Sequence, residues 1–141
     1  MKDHSFNAAK ALGAIGPEAV LTLIQLLEDQ SITVRNNADK ALAEIGPEAK
    51  QAVPTLIQQL GDQNNSSVRS NAAKALGQIG TEATDSIPTL SQLLGDENSE
   101  VRSSAATALG QIGSEAKPSI PALIQLLDDQ DSTVLLNAAK A

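Results

Sequence analysis

Pairs of aspartate and arginine recur along this chain, six or seven residues apart: Asp29 with Arg35, Asp62 with Arg69, and Asp96 with Arg102. Stacked guanidinium groups could bind an anion, whereas a guanidinium beside a carboxylate forms charge-assisted hydrogen bonds. Because every arginine has an aspartate at nearly the same spacing, we interpret these residues as a structural ladder. In this interpretation the pairs tie each turn of the chain to its neighbour.

The pairs recur because the sequence around them repeats. Val34-Arg35, Val68-Arg69 and Val101-Arg102 open successive copies and Val134-Leu135 opens another, at intervals of 34, 33 and 33 residues. A period of this length is typical of stacked helical hairpins. We therefore predict an all-α, right-handed solenoid that forms a single domain over residues 1–141. Its predicted units are a capping unit at about 1–29, three full units at 30–62, 63–96 and 97–129, and an incomplete unit at 130–141.

Each unit is predicted to contain two helices. The first, called the VR helix, should begin after a polar capping residue: Ser31, Asn65, Asn98 or Asp131. It should end at a glycine in the left-handed conformation: Gly16, Gly46, Gly80 or Gly113. The second, called the IP helix, should begin at Pro17, Pro47, Thr81 or Ser114. Pro54, Pro88 and Pro121 should lie inside it and bend it, since proline removes a backbone hydrogen bond.

One arc of the VR helices is predicted to be exposed and to carry polar side chains. Its members are Lys10, Asn36, Lys40, Glu44, Ser70, Lys74, Gln78, Ser103, Thr107, Gln111 and Lys140. Since stacked helices lie about 8–10 Å apart, the lysines could form a row suited to an acidic peptide or protein. The alternative is a set of solvated lysines without a ligand.

Composition narrows the classes of function. The formal net charge is −7 and the pI is near 4.5, whereas binding to nucleic acid needs a net basic surface, so we predict no nucleic-acid partner. The chain has no cysteine and one histidine, His4, which cannot assemble a zinc site unaided. We predict no metal, no cofactor and no enzymatic activity. No apolar leader or membrane-spanning run is visible, so we expect no membrane partner and a cytoplasmic location.

The combination of proline in one helix, aspartate in the turn and Val-Arg opening the next helix resembles the HEAT repeat. The short unit with ALGQIG, at residues 75–80 and 108–113, is similar to the subclass of phycobilisome lyase-like proteins. The resemblance implies that the VR helices line a concave face and the IP helices a convex one. It implies a non-catalytic scaffold for a protein partner on the concave face. It leaves open a subunit of a phycobilin lyase or a related chromophore-handling complex. We also consider self-association through the incomplete unit, at Val134–Ala141.

Overall fold

The computed structural model describes residues 4–128 and 138–139, and every regular element in this part of the chain is helical. The α-helices in chain order are α1 His4–Ile15, α2 Val20–Leu26, α3 Ile32–Ile45, α4 Val53–Gln59, α5 Ser66–Ile79, α6 Ile87–Leu93, α7 Ser99–Ile112 and α8 Ile120–Leu126. Short 3₁₀ segments, Pro17–Ala19, Gly46–Ala52, Gly80–Ser86 and Ser114–Ser119, precede α2, α4, α6 and α8. The predicted sites at Asp131 and Lys140 lie outside the described residues, as does the predicted self-association site at Val134–Ala141 except for residues 138–139.

The helices form a stack of hairpins, which confirms the predicted all-α repeat fold. The VR helices are α1, α3, α5 and α7, and each packs against the next one along the chain. The IP helices are α2, α4, α6 and α8, and α2, α4 and α6 each also contact the VR helix that follows them. Each unit is thus held by its sequence neighbours, as expected for an array of this kind.

Small and branched side chains fill the space between the helices. Leucines of the VR helices, Leu42, Leu76 and Leu109, are buried in one continuous cluster with Leu23, Leu56 and Leu90 of the IP helices. Alanines occupy the contacts between successive VR helices, where Ala41, Ala75 and Ala108 are buried. Small residues at these positions let the helix axes approach closely.

The VR helices end at glycines, as predicted, but in a different conformation. At Gly16, Gly46, Gly80 and Gly113 the φ angle lies between 76° and 96°. The ψ angle is between −135° and −149°, rather than the positive value of a left-handed helical residue. This combination of angles is open essentially to glycine alone. The residue type was therefore predicted correctly, and the conformation was wrong in ψ.

Two of the three predicted N-caps in the described region are confirmed. Ser31 Oγ accepts a hydrogen bond of 3.3 Å from the Val34 N–H. Asn98 Oδ1 accepts a bond of 3.1 Å from the Val101 N–H. Asn65 was predicted to act likewise, but its side chain makes no capping bond. Its backbone is more extended, with φ at −134° against −83° at Ser31.

The prediction that prolines bend the IP helices is wrong. Each IP helix begins with a 3₁₀ segment, and the α-helix proper starts later, at Val53 in the second unit. Pro54 is therefore in the first turn of α4, and Pro88 and Pro121 occupy the same place in α6 and α8. The N–H groups of a first turn have no partner inside the helix, so proline costs no hydrogen bond there. The change of direction lies earlier, at Ala49, where ψ is 20°.

Within residues 4–128 and 138–139 no helix is both long enough and apolar enough to cross a membrane.

Candidate functional site

Most of the predicted polar arc is exposed on four consecutive VR helices, α1, α3, α5 and α7. The exposed members are Lys10, Lys40, Glu44, Lys74, Gln78, Thr107 and Gln111. Because each VR helix packs on the next, side chains at equivalent positions are aligned along the stack. We call this set the VR face. Its role in binding stays a prediction.

Ser70 and Ser103 were predicted to belong to this arc, and the structure corrects both. Ser70 is 2% exposed and Ser103 is 7% exposed. The Ser70 hydroxyl shares a 2.8 Å hydrogen bond with the hydroxyl of Ser104 on the next VR helix. Ser70 therefore faces the neighbouring helix, and neither serine is exposed to solvent. Asn36, in the same column, is half-buried, and its Nδ2 donates to Ser67 Oγ at 3.3 Å.

The VR face carries charges of both signs. Lys74 Nζ donates a 3.3 Å hydrogen bond to Glu100 Oε2 on the next helix, and both side chains are more than half exposed. An exposed pair of this kind contributes about 0–1 kcal/mol, so a ligand carboxylate could displace it at little cost. Glu44 lies on the same face. The surface is therefore a mixture of lysine, glutamate and neutral polar groups and not a uniformly basic row.

Asp39 lies on α3 but is fully buried, so it does not contribute to the VR face. Neither of its carboxylate oxygens has a hydrogen-bond partner. Burial raises the pKa of the Asp39 carboxyl well above its usual range, and the nearby Arg35 guanidinium offsets part of that increase. The equivalent residues on α5 and α7 are Ala73 and Ala106, both fully buried. The sequence carried this signal, since alanine in two other units indicates a position inside the stack.

The aspartate–arginine pairs are connected within each turn through the backbone of the aspartate. Arg35 Nη1 donates to the Asp29 carbonyl oxygen at 2.6 Å, and Arg69 Nη1 donates to the Asp62 carbonyl oxygen at 2.8 Å. Arg102 makes the same bond to the Asp96 carbonyl oxygen at 2.8 Å. Within each turn the bond from arginine to aspartate therefore runs to the backbone carbonyl.

The carboxylates of the same aspartates instead accept hydrogen bonds from the loop that follows. Asp29 Oδ1 accepts from the Ser31 N–H at 2.8 Å, and Asp96 Oδ1 accepts from the Asn98 N–H at 2.9 Å. Asp62 Oδ1 accepts from the Asn64 N–H at 2.9 Å. Each aspartate thus fixes the chain just before a VR helix begins.

Arg69 also connects two successive turns through side chains. Arg69 Nε and Nη2 donate to Asp96 Oδ2 and Oδ1 at 2.9 and 3.0 Å. This is a bidentate arrangement, and the side chains are only 7% and 10% exposed. Arg69 therefore joins its own turn to the next one and is occupied with structural contacts.

Nothing in the described ranges resembles a metal centre, because no group of three or more His, Cys, Asp or Glu side chains could hold an ion there.

Comparison with protein families matches nearly the whole chain. The model described as HEAT repeats matches residues 20–85 and 53–141. The model described as PBS lyase HEAT-like repeat matches residues 6–29. A search of curated proteins finds no match.

Solved structures show the same architecture. An engineered protein is similar to this chain at 28% identity and a TM-score of 0.74, with 96% of this chain and 70% of that one covered. A second engineered protein is 30% identical with a TM-score of 0.72, covering 96% of this chain and 42% of that one. The complex of CpcE and CpcF of phycocyanin lyase from Nostoc sp. PCC7120 is 24% identical with a TM-score of 0.80, covering 94% and 85%. Because the identity is below 25%, the similarity to the CpcE and CpcF complex concerns the fold alone.

Proposed function

This chain belongs to the HEAT-repeat family, and we propose that it is a non-catalytic scaffold that binds a protein or peptide partner on the concave face lined by its VR helices. The observation that carries the proposal is the alignment of exposed polar side chains on α1, α3, α5 and α7. Repeat arrays use such extended surfaces for binding, since each unit contributes one set of side chains to a continuous strip.

The chemistry of the VR face favours a partner with mixed polar and acidic groups. Lys10, Lys40 and Lys74 can donate to carboxylates, and Gln78 and Gln111 can both donate to and accept from peptide groups. Glu44 and the Glu100 partner of Lys74 oppose a phosphate-rich ligand. We therefore favour an acidic protein or peptide over a nucleic acid.

Binding of this kind needs neither a cofactor nor a catalytic group, and the proposal assigns none. Hydrogen bonds and ion pairs along several units would supply the affinity. A cytoplasmic location is part of the same proposal and can be tested by fractionating the source cells.

A capture experiment with charge-reversed variants tests the proposal. The double variant Lys40→Glu/Lys74→Glu changes the VR face. The control Lys50→Glu/Lys117→Glu makes the same change in charge at exposed positions of two 3₁₀ segments. We expect the first variant to lose the partner captured from source cells by the unmodified chain, while the second retains it. Equal capture by both variants would contradict the assignment of the surface.

A second candidate is a subunit of a phycobilin lyase or a related chromophore-handling complex. Two observations favour it, namely the match of residues 6–29 to the PBS lyase HEAT-like repeat and the fold shared with the CpcE and CpcF complex. Mixing the chain with a phycobilin separates the candidates. A shift of the bilin absorbance on mixing supports chromophore handling, and an unchanged spectrum supports the scaffold.

A further inference from the structure

Arg35 carries the same guanidinium edge as Arg69, but the two edges differ in what they contact. Arg69 Nε and Nη2 hold the Asp96 carboxylate at 2.9 and 3.0 Å. Arg35 uses only Nη1, which donates to the carbonyl oxygens of Asp29 and Gln30 at 2.6 and 3.2 Å. Within the described residues its Nε and Nη2 donate to no group, and it forms no salt bridge. The edge that binds a carboxylate in one turn is therefore open in the turn before it.

The two arginines occupy equivalent positions in the array. Arg35 lies in the first turn of α3 and Arg69 in the first turn of α5, each directly after a valine. Each Nη1 donates to the backbone carbonyl of the aspartate in the preceding turn. The aspartate of the following turn comes 27 residues later in both cases, at Asp62 and at Asp96. By position, Asp62 is thus the residue that would fill the edge of Arg35.

The loop after Asp62 explains why it does not do so. The valine of the next VR helix comes six residues after Asp62 but five residues after Asp96. In the longer loop Asp62 Oδ1 accepts bonds of 2.9 and 3.1 Å from the Asn64 and Asn65 N–H groups. In the shorter loop Asp96 Oδ1 accepts one such bond, from the Asn98 N–H at 2.9 Å. The additional bond holds the Asp62 carboxylate against its own loop.

The open edge of Arg35 is accessible from outside the array. Arg35 is half-buried, whereas Arg69 is 6% exposed. Asp39 lies one turn further along α3, but it is fully buried and forms no salt bridge with Arg35. The exposed residues of the loop after Asp62 carry no charge and are Gln63, Asn64 and Ser67. A ligand can therefore approach Arg35 from solvent past neutral side chains.

We propose that Arg35 is a binding site for a carboxylate group of a partner protein or peptide, which its Nε and Nη2 hold as those of Arg69 hold Asp96. Bidentate pairs of arginine and carboxylate combine charge with a fixed geometry. The net charge of −7 opposes a doubly charged phosphate more than a singly charged carboxylate. Arg35 is not part of the VR face, so this site does not depend on the proposed function. Because partly exposed ion pairs are weak, a partner needs further contacts around this one.

Nuclear magnetic resonance of the arginine Nε–H groups tests the proposal, because the chain has only three arginines. Signals are assigned with Arg35→Lys and Arg69→Lys. Acetate is the probe, and chloride at the same concentration controls for ionic strength. We expect acetate to shift the Arg35 signal saturably towards the position of the Arg69 signal, while Arg69 itself does not respond. An Arg35 signal that responds equally to acetate and chloride, or that shifts no more than the Arg69 signal, overturns the proposal.

Two uncharged-backbone peptides distinguish the sources of the carboxylate. Acetylated triglycine offers only a chain-terminal carboxyl group, and acetylated Gly-Glu-Gly amide offers only a side-chain carboxyl group. The peptide that shifts the Arg35 signal at the lower concentration identifies the favoured source, and equal effects mean that the carboxylate alone is recognised. If neither peptide shifts the signal, the proposal is overturned.

The variant Asp62→Asn tests whether Asp62 closes onto Arg35 in solution. Asparagine keeps an oxygen that can accept the bonds from the loop, so the fold should be retained, as thermal melts will show. We expect the Arg35 signal without acetate to be the same in this variant and in the unmodified chain. If that signal already coincides with the Arg69 signal and Asp62→Asn displaces it, Asp62 is the partner of Arg35 and the proposal is overturned.

Discussion

At the scale of single residues, the burial of Asp39 destabilises the array. It is a fully buried carboxyl without a hydrogen-bond partner, at a position where α5 and α7 have alanine. Burying an unpaired polar group costs about 1–3 kcal/mol by mutational measurements. The raised pKa means that the folded chain retains this proton when the unfolded chain has already lost it.

The first prediction concerns Asp39→Ala. Below the ordinary pKa of an aspartate carboxyl both states of the chain hold the proton. As pH rises above that value the unfolded state ionises first, so stability falls until the raised pKa of the folded state is reached. Asp39→Ala should therefore be more stable near neutral pH by roughly 1–3 kcal/mol, and its stability should fall less between acid and neutral pH. Denaturant melts at several pH values measure this, with exposed Asp85→Ala as the control. A pH dependence identical to that of the unmodified chain would contradict the account.

The second prediction compares Arg69→Ala with Lys74→Ala. Arg69 joins two turns through a nearly buried bidentate pair and a bond to a backbone carbonyl. Its removal leaves Asp96 with an unpaired charge and should cost about 3 kcal/mol or more. Lys74 pairs with Glu100 in solvent, and its loss should cost no more than about 1 kcal/mol. Thermal melts that show equal losses of stability would mean that the turn-to-turn link does not stabilise the array.

At the scale of helices, neighbouring VR helices lie so close together that only small residues fit along their contact. A Cβ atom on Gly77 of α5 would lie 2.9 Å from the Ala108 Cα of α7 and would also collide with Gln111. Backbone cannot move aside as a flexible side chain can, so the helices would have to separate.

The third prediction follows for Gly77→Ala. Alanine favours a helix over glycine by about 1 kcal/mol, whereas overpacking a tight contact costs about 1–3 kcal/mol. We expect a net loss of stability in denaturant melts. Gly95→Ala, in the turn after α6, is the control for an added methyl group that meets no close neighbour, because its Cβ would meet nothing closer than 3.7 Å. If Gly77→Ala were more stable than the unmodified chain, the contact between α5 and α7 would have space for the added methyl group.

The sequence predicts a helix end where the backbone conformation requires one residue type. It does not predict a helix end whose position depends on the geometry of the preceding loop. Glycine at Gly46 and Gly80 marks the end of each VR helix because other residues are strained at positive φ. The place of Pro54 was not predictable, because nothing in the sequence indicates that a 3₁₀ segment precedes α4. Asn65 looked like a cap by residue type, but its backbone conformation prevents a cap like that of Ser31.

At the scale of the whole molecule, the repeat period predicted the fold, because equivalent positions in successive units meet equivalent neighbours. The repeat period does not predict which residues are buried at the edge of the exposed VR face. Ser70 and Ser103 are polar and lie close to the exposed arc, yet both are buried, and Ser70 faces the next helix. Polarity does not reveal this, since a hydroxyl can be satisfied by the serine opposite. Exposure at such borders depends on how closely two helices approach, which the period of the sequence does not specify.

The central claim, that the VR face binds the partner, is tested most directly by lysine footprinting. The chain is treated with an amine-reactive reagent with and without its captured partner, and the modified lysines are quantified by mass spectrometry. The account predicts that the partner protects Lys10, Lys40 and Lys74 while Lys50 and Lys117, exposed elsewhere, react as before. Protection of Lys50 and Lys117 with unchanged reaction at the three lysines of the VR face would contradict it.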